Sequence, residues 1–177
     1  ELGTTEPTIQ RQGSDRVLVE VMLREGETFL QAQLVVATSA DQRAAVLGGI
    51  YAAAGTALVA GIIAAVAASS DFPHAVVLGC ALAGALFLVS SALCLSTALP
   101  VDFWLPGNEP SNWYEDIEKG VAIEVALGEE AVNYQSKIDE NNKALKANAG
   151  RYRWGVYIGI AAPVLGVIGG ALASFAC

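Results

Sequence analysis

The stretch Trp154–Phe175 reads WGVYIGIAAPVLGVIGGALASF, 22 residues without a charged side chain. A helix rises about 1.5 Å per residue, so the run exceeds the ~20 residues that cross a hydrocarbon core of about 30 Å. Two further uncharged stretches precede it, Ala44–Ser69 (AAVLGGIYAAAGTALVAGIIAAVAAS) and Ala75–Leu99. Backbone polar groups cannot stay unpaired in lipid, which leaves helices as the form for all three. Counting Trp154–Phe175 as a span makes the number odd and puts the two termini on opposite faces. The whole chain fits this reading: 54% of its 177 residues are hydrophobic, its mean hydropathy is +0.46, and 16% are charged. Soluble domains carry about 25% charged residues. That balance excludes an ordinary soluble enzyme, a disordered chain and a disulfide-stapled secreted module. The expected fold class is an all-α integral membrane protein with three transmembrane helices and a cytoplasmic helical extension.

The basic residues set the expected orientation. Arg11, Arg16, Arg24 and Arg43 precede the first span, and Lys119, Lys137, Lys143, Lys146, Arg151 and Arg153 lie between the second and third. The Ser70–His74 connection carries none. All ten cations fall on one side of a three-span arrangement, as the positive-inside rule requires. The N-terminus and residues 100–153 are therefore expected in the cytoplasm, with Cys177 outside, in a cell membrane of bacterial inner-membrane type. No basic patch followed by an apolar core heads the sequence, so the first span is expected to direct insertion itself. Trp104, Tyr152 and Trp154, beside Arg151 and Arg153, read as interface anchors.

In lipid, helices gain little by burying apolar side chains against each other, and small residues that admit close backbone approach mark contact faces. The first span has Gly49, Ala53, Ala57, Gly61 and Ala65 at every fourth position, and the third has Ala162, Gly166, Gly170 and Ser174. Both stripes read as helix-packing faces, within one chain or between copies. The second span is bulkier and suits an outer, lipid-facing wall. Pro163 is expected to kink the third, because its ring removes a backbone hydrogen bond. With no charge inside any span, coupled transport is disfavoured. A pore lined by the hydroxyls of Thr56, Ser90, Ser91 and Ser96 stays open as a reading.

Outside the spans, residues 1–13 read as disordered. Ser14 is a plausible cap, with Asp15 in the first turn, for a cytoplasmic helix over 14–43 that carries Leu18, Met22, Phe29, Ala32 and Val36. Gly26 weakens that helix, and residues 17–23 have strand character as well. In the 100–153 segment, Pro106-Gly107-Asn108 predicts a turn, Ser111 a cap for a short helix over 112–119, and Gly120 its end. A longer helix from about Val121 carries Ala131, Tyr134, Ile138, Asn141 and Leu145 in four-three spacing, a coiled-coil-like seam whose nearest partner is the N-terminal helix. A place flat on the bilayer is disfavoured, since its Glu-rich face would be repelled by anionic lipid.

Catalytic chemistry has little to stand on. His74 is the sole histidine, which rules out zinc and di-iron ligand sets of ordinary spacing, and there is no phosphate-binding loop. Cys80 and Cys94 lie about 21 Å apart along one helix, beyond disulfide reach. A net charge of −8 without a basic cluster argues against nucleic acid as a partner. The expectation is a non-enzymatic protein without cofactor or metal, which partners the lipid bilayer, forms a homo-oligomer and serves as a pore or channel subunit with an acidic vestibule. The alternative is a membrane-anchored interaction or sensor module whose cytoplasmic bundle recruits a protein. The plan of a few spans plus cytoplasmic helices is similar to that of small membrane effectors of bacterial antiphage systems, in layout and in no motif.

Overall fold

The structure, a computed structural model, describes residues 16–68 and 73–176. The expected disorder of 1–13, the Ser14 cap with Asp15, Ser69, residues 70–72 of the connection and Cys177 lie outside these residues. Four helices make up the described chain: α1 (Arg16–Ala68), α2 (His74–Thr97), α3 (Tyr114–Lys119) and α4 (Ile123–Ala176), with a 3-10 turn at Pro110–Trp113 just before α3. Among the described residues there is no strand, so 17–23 is helical. α1, α2 and α4 each contain a stretch long and apolar enough to cross a membrane.

Local chemistry explains most boundaries. Pro73 opens α2 with φ −58°, and its carbonyl accepts from the amides of Val76 and Val77. At the other end Asn148 Nδ2 donates to the Thr97 carbonyl over 3.3 Å, satisfying one of the orphan acceptors of a helix C-terminus. Gly120 adopts φ +62° and ends α3, a left-handed cap that favours glycine. The short helix is not capped by Ser111, as the sequence suggests. Glu109 takes the cap position of the 3-10 turn, with Pro110 in its first turn, where a missing N–H costs nothing, and α3 itself follows Trp113. Pro163 stands within α4, which continues as one helix through it.

The chain divides into two compact units, Glu1–Leu34 with Phe103–Asn142 and Val35–Asp102 with Lys143–Cys177. The first is a polar unit, and α1 and α4 run parallel in it: Glu27 pairs with Tyr134 and Gln33 with Asn141, at sequence separations of 107 and 108. The buried side of α1 there is Val19, Leu30 and Gln33. Leu18, Met22, Phe29 and Val36 of the sequence reading are all exposed. At Gly26 the backbone of α1 comes close to α4: a methyl group in its place would stand 3.2 Å from the Tyr134 ring.

The second, apolar unit contains the three long apolar segments. Gly48 meets Leu95 and Gly55 meets Leu88, so α1 and α2 are antiparallel; Gly79 meets Gly166 and Gly155 meets Cys94, so α2 and α4 are antiparallel too. α2 is thus the helix that both others pack on, with Gly79, Ala83, Gly84, Ser90, Ser91, Cys94 and Thr97 buried. This corrects the expectation of an outer wall: its bulky Leu78, Leu82, Leu88 and Leu95 are exposed, while its small residues make the centre. Around this centre Ile63, Val66, Val164, Val167, Leu172 and Phe175 are exposed, a surface that water penalises and hydrocarbon does not.

Candidate functional site

In the apolar unit the contacts are made by glycine backbones. The Gly79 and Gly166 backbones each lie against the other's carbonyl oxygen, where an added methyl would stand 2.7 and 2.8 Å away, and Gly159 lies under the Tyr51 ring. Tyr51 stacks on Phe87 with centroids 5.9 Å apart. Helices at this separation gain dispersion along the whole seam, and hydroxyls reach the neighbouring backbone. Ser91 Oγ donates to the Gly48 carbonyl of α1 over 2.8 Å, and Ser90 Oγ to the Gly155 carbonyl of α4. Two adjacent serines on α2 therefore staple it to both neighbours.

The hydroxyls singled out as pore-lining do not share a path within this chain. Ser90 and Ser91 are buried in those staples. Ser96 and Thr56 donate to carbonyls of their own helices, at Leu93 and at Ala52, and Thr56 is exposed. Of the packing residues, Ala162, Gly166 and Gly170 lie in the α4 seam, while Ser174 is exposed and donates to Gly170 O. Gly49, Ala53, Ala57 and Gly61 are exposed, with Ala65 partly so, and a methyl at Gly49 or Gly61 would meet nothing within 4 Å. The intrachain seam of α1 uses Ala44, Gly48, Tyr51 and Gly55 instead. Steps of four advance by 400°, so a strict four-spaced stripe drifts about 40° per step, while a four-three alternation stays on one face.

An open groove of about 790 Å³ lies in this unit, bordered by Leu58, Cys80, Ala83, Phe87, Pro163 and Val167. Its walls are almost wholly apolar, which suits hydrocarbon; Cys80 and Ser174 are the lining residues that carry a thiol or a hydroxyl. Trp154 is exposed, meeting Tyr157 edge to face at 6.3 Å, and Tyr152 is half-buried.

The polar unit holds a closed hydrogen-bond network on the seam of α4. Tyr134 and Asn141 are buried, and Ala131 and Ile138 are half-buried; in the apolar unit Leu145 is half-buried. Asn141 Nδ2 donates to Gln33 Oε1 (3.1 Å) and to the Trp104 carbonyl (3.0 Å), while Asn141 Oδ1 accepts from the Trp104 amide (2.9 Å). Gln33 Nε2 donates in turn to Asn142 Oδ1 (3.0 Å) and to the Ile138 carbonyl (3.1 Å). Trp104 Nε1 donates to Glu140, so this residue, read from sequence as an interface anchor, belongs to the network.

Beside it, Tyr134 donates its phenol proton to Glu27 over 3.0 Å, and burial, then the bond to Glu27, push its pKa up to about 12. Lys137 pairs with the buried Glu130 at 3.2 Å and lies 4.9 Å above the Tyr134 ring. On α3, the exposed Lys119 ammonium beside Glu115 holds that carboxyl below its ordinary value. Among the described residues no three His, Cys, Asp or Glu side chains are grouped to hold a metal ion, and His74 is exposed at the first turn of α2. Sequence reasoning missed Gly48, Gly55, Gly155, Gly159 and Gln33. The signal for the glycines of α4 was present as the four-three run 155, 159, 162, 166. Nothing marked Gln33, since a glutamine in a polar helix reads as solvated.

No family model, curated protein or solved structure matches the chain.

Proposed function

We propose that this chain is a non-enzymatic subunit of a homo-oligomeric membrane assembly. It would sit in a cell membrane of bacterial inner-membrane type, with the N-terminus and residues 100–153 in the cytoplasm and the C-terminus outside. The observation that carries the reading is the division of α1 into two sets of small residues. One set, Gly48 and Gly55, is spent inside the chain, and the other, Gly49, Ala53, Ala57 and Gly61, is exposed, with nothing within 4 Å of a methyl placed at Gly49 or Gly61. Small residues that no helix of the same chain uses are suited to a helix of another copy. The alternating directions of α1, α2 and α4, and ten cations on one side, support the orientation.

A pore is the form of assembly favoured here. Its path would run between copies, because Ser90 and Ser91, read from sequence as lining one, are committed to backbone carbonyls. Thr56 is the hydroxyl left on the outward side of α1. Native mass spectrometry in detergent and ion flux from liposomes test the reading. A defined oligomer that conducts supports it, a tight oligomer leaves assembly without a pore, and a strict monomer refutes both.

The second reading, a membrane-anchored module that recruits a protein in the manner of a defence-type effector, is favoured by exposed Tyr114 and Ile117 on α3, at 62% and 72%. Full-length variants at these positions that lose a co-purifying protein while keeping their oligomeric state would point to it.

A further inference from the structure

Residues 103–108 follow no helix, yet they are held against one residue of α4. Asn141 takes both backbone polar groups of Trp104, giving a proton to its carbonyl and accepting one from its amide. The other ties of this segment are few: Trp104 Nε1 donates to Glu140, the Gly107 backbone reaches the Tyr134 phenol, and Phe103 and Pro106 are half-buried, while Trp104 is 49% and Leu105 60% exposed. Beneath it lie Asn141 and Gln33, at 1% and 5% exposure, and no buried side-chain polar atom of the described residues lacks a partner.

We propose that 103–108 is a strap that opens independently, with Asn141 as its clasp, and that opening uncovers a polar slot formed by Gln33, Asn141 and Asn142. Three features make it separable. Release buries no orphan, because water replaces the two backbone bonds of Trp104 to Asn141 and its indole bond to Glu140, and exchange with water is what makes the net value of such bonds small. Release gives up limited apolar contact, because Trp104 and Leu105 are already in solvent and Phe103 and Pro106 are only half-buried. The bonds that Gln33 donates to Asn142 and Ile138 and accepts from Asn141 do not involve the strap, so the pairing of α1 with α4 persists without it. Segments held by few apolar contacts and a small number of hydrogen bonds open at low free energy, ahead of the helices they cover. The uncovered slot keeps a side-chain amide with a donor and an acceptor free to take one residue of extended backbone, the role Trp104 fills in the closed form. This device is independent of whether the assembly conducts ions or recruits a protein.

Amide hydrogen exchange of the full chain in detergent, read at single residues over a urea series, tests the proposal. In the native protein the Trp104 amide should exchange through an opening faster than that of residues 16–34 and 123–142, and with a weaker denaturant dependence. One common rate and one common dependence would overturn it. Asn141→Leu keeps the side-chain bulk and removes both clasp bonds, so the Trp104 amide should exchange about tenfold faster or more, while the two helical segments keep their protection. Unchanged protection at Trp104 in that variant would overturn it as well. Should the variant loosen the helices, the comparison within the native protein still decides.

Discussion

Replacing Gly79 with alanine tests the helix seam at its tightest point. The added methyl would stand 2.7 Å from the Gly166 carbonyl oxygen, 3.2 Å from Gly170 Cα and 3.3 Å from Gly170 N, all backbone atoms that no rotamer change can move. Ordinary contact begins near 3.5 Å, so α2 and α4 must separate by roughly half an ångström or more, which forfeits a quarter or more of the dispersion well along the seam. Overpacking of this kind costs about 1–3 kcal/mol, and the better helix propensity of alanine returns about 0.8–1 kcal/mol. The net expectation is a loss of about 0–2 kcal/mol. Gly48→Ala meets the Leu95 side chain at 2.8 Å, which can swing aside, and should cost less; Gly49→Ala meets nothing and should be neutral or stabilising by up to about 1 kcal/mol. Reversible unfolding in mixed micelles with rising SDS, followed by circular dichroism, measures all three at matched protein concentration. The order Gly79, Gly48, Gly49 from most to least destabilised is the expected result. A Gly79→Ala protein stabilised as much as Gly49→Ala would refute the close-packed seam, and equal losses at Gly79 and Gly49 would refute the assignment of faces on α1.

Three further perturbations address other contacts. Tyr134 is raised in the folded state to about 12 from an ordinary value of 10, so its neutral form stabilises the fold fully below pH 10 and that contribution is lost as pH rises from about 10 to 12. Two units correspond to about 2–3 kcal/mol, and Tyr134→Phe should flatten this part of the stability profile, with absorbance at 295 nm reporting the late-titrating phenol. Lys137→Met leaves the buried Glu130 carboxylate unpaired and should cost about 2–4 kcal/mol, most of it recovered in the Glu130→Gln, Lys137→Met double variant; a cycle without coupling would refute the pair. Ser91→Ala removes the donor to Gly48 O and should cost about 1 kcal/mol in SDS unfolding without changing helix content by circular dichroism.

How much of this was legible beforehand depended on the kind of signal. The four-three seam from Ala131 to Leu145 could be read because the run of Ala, Tyr, Ile, Asn and Leu stands out from charged neighbours. In the first span Gly and Ala occur on every side, so Gly48 and Gly49 look alike in sequence, and the strict four-spaced stripe drew attention away from the face that packs. The same ambiguity hid α2: its leucines suggest an outer wall, but small residues that carry little hydrophobic signal decide where a helix backbone can come closest. Trp104 read as an anchor because aromatics near span ends commonly are, and its backbone bonds to Asn141 have no local trace.

By itself the sequence determined that three uncharged stretches are helical and long enough to cross a bilayer, because hydropathy and the demand for internal backbone pairing are additive along the chain. It also set the start of α2 at Pro73 and the end of α3 at Gly120, since backbone stereochemistry acts within a few residues. Only the tertiary structure decided which face of each helix meets which neighbour, that α2 is the helix both others pack on, and that Ser90, Ser91, Gln33 and Asn141 spend their polar groups across helices. These are matters of register and separation at the scale of one methyl group. A glycine exposes the same side chain to every neighbour, and only the neighbour's position tells which one is needed.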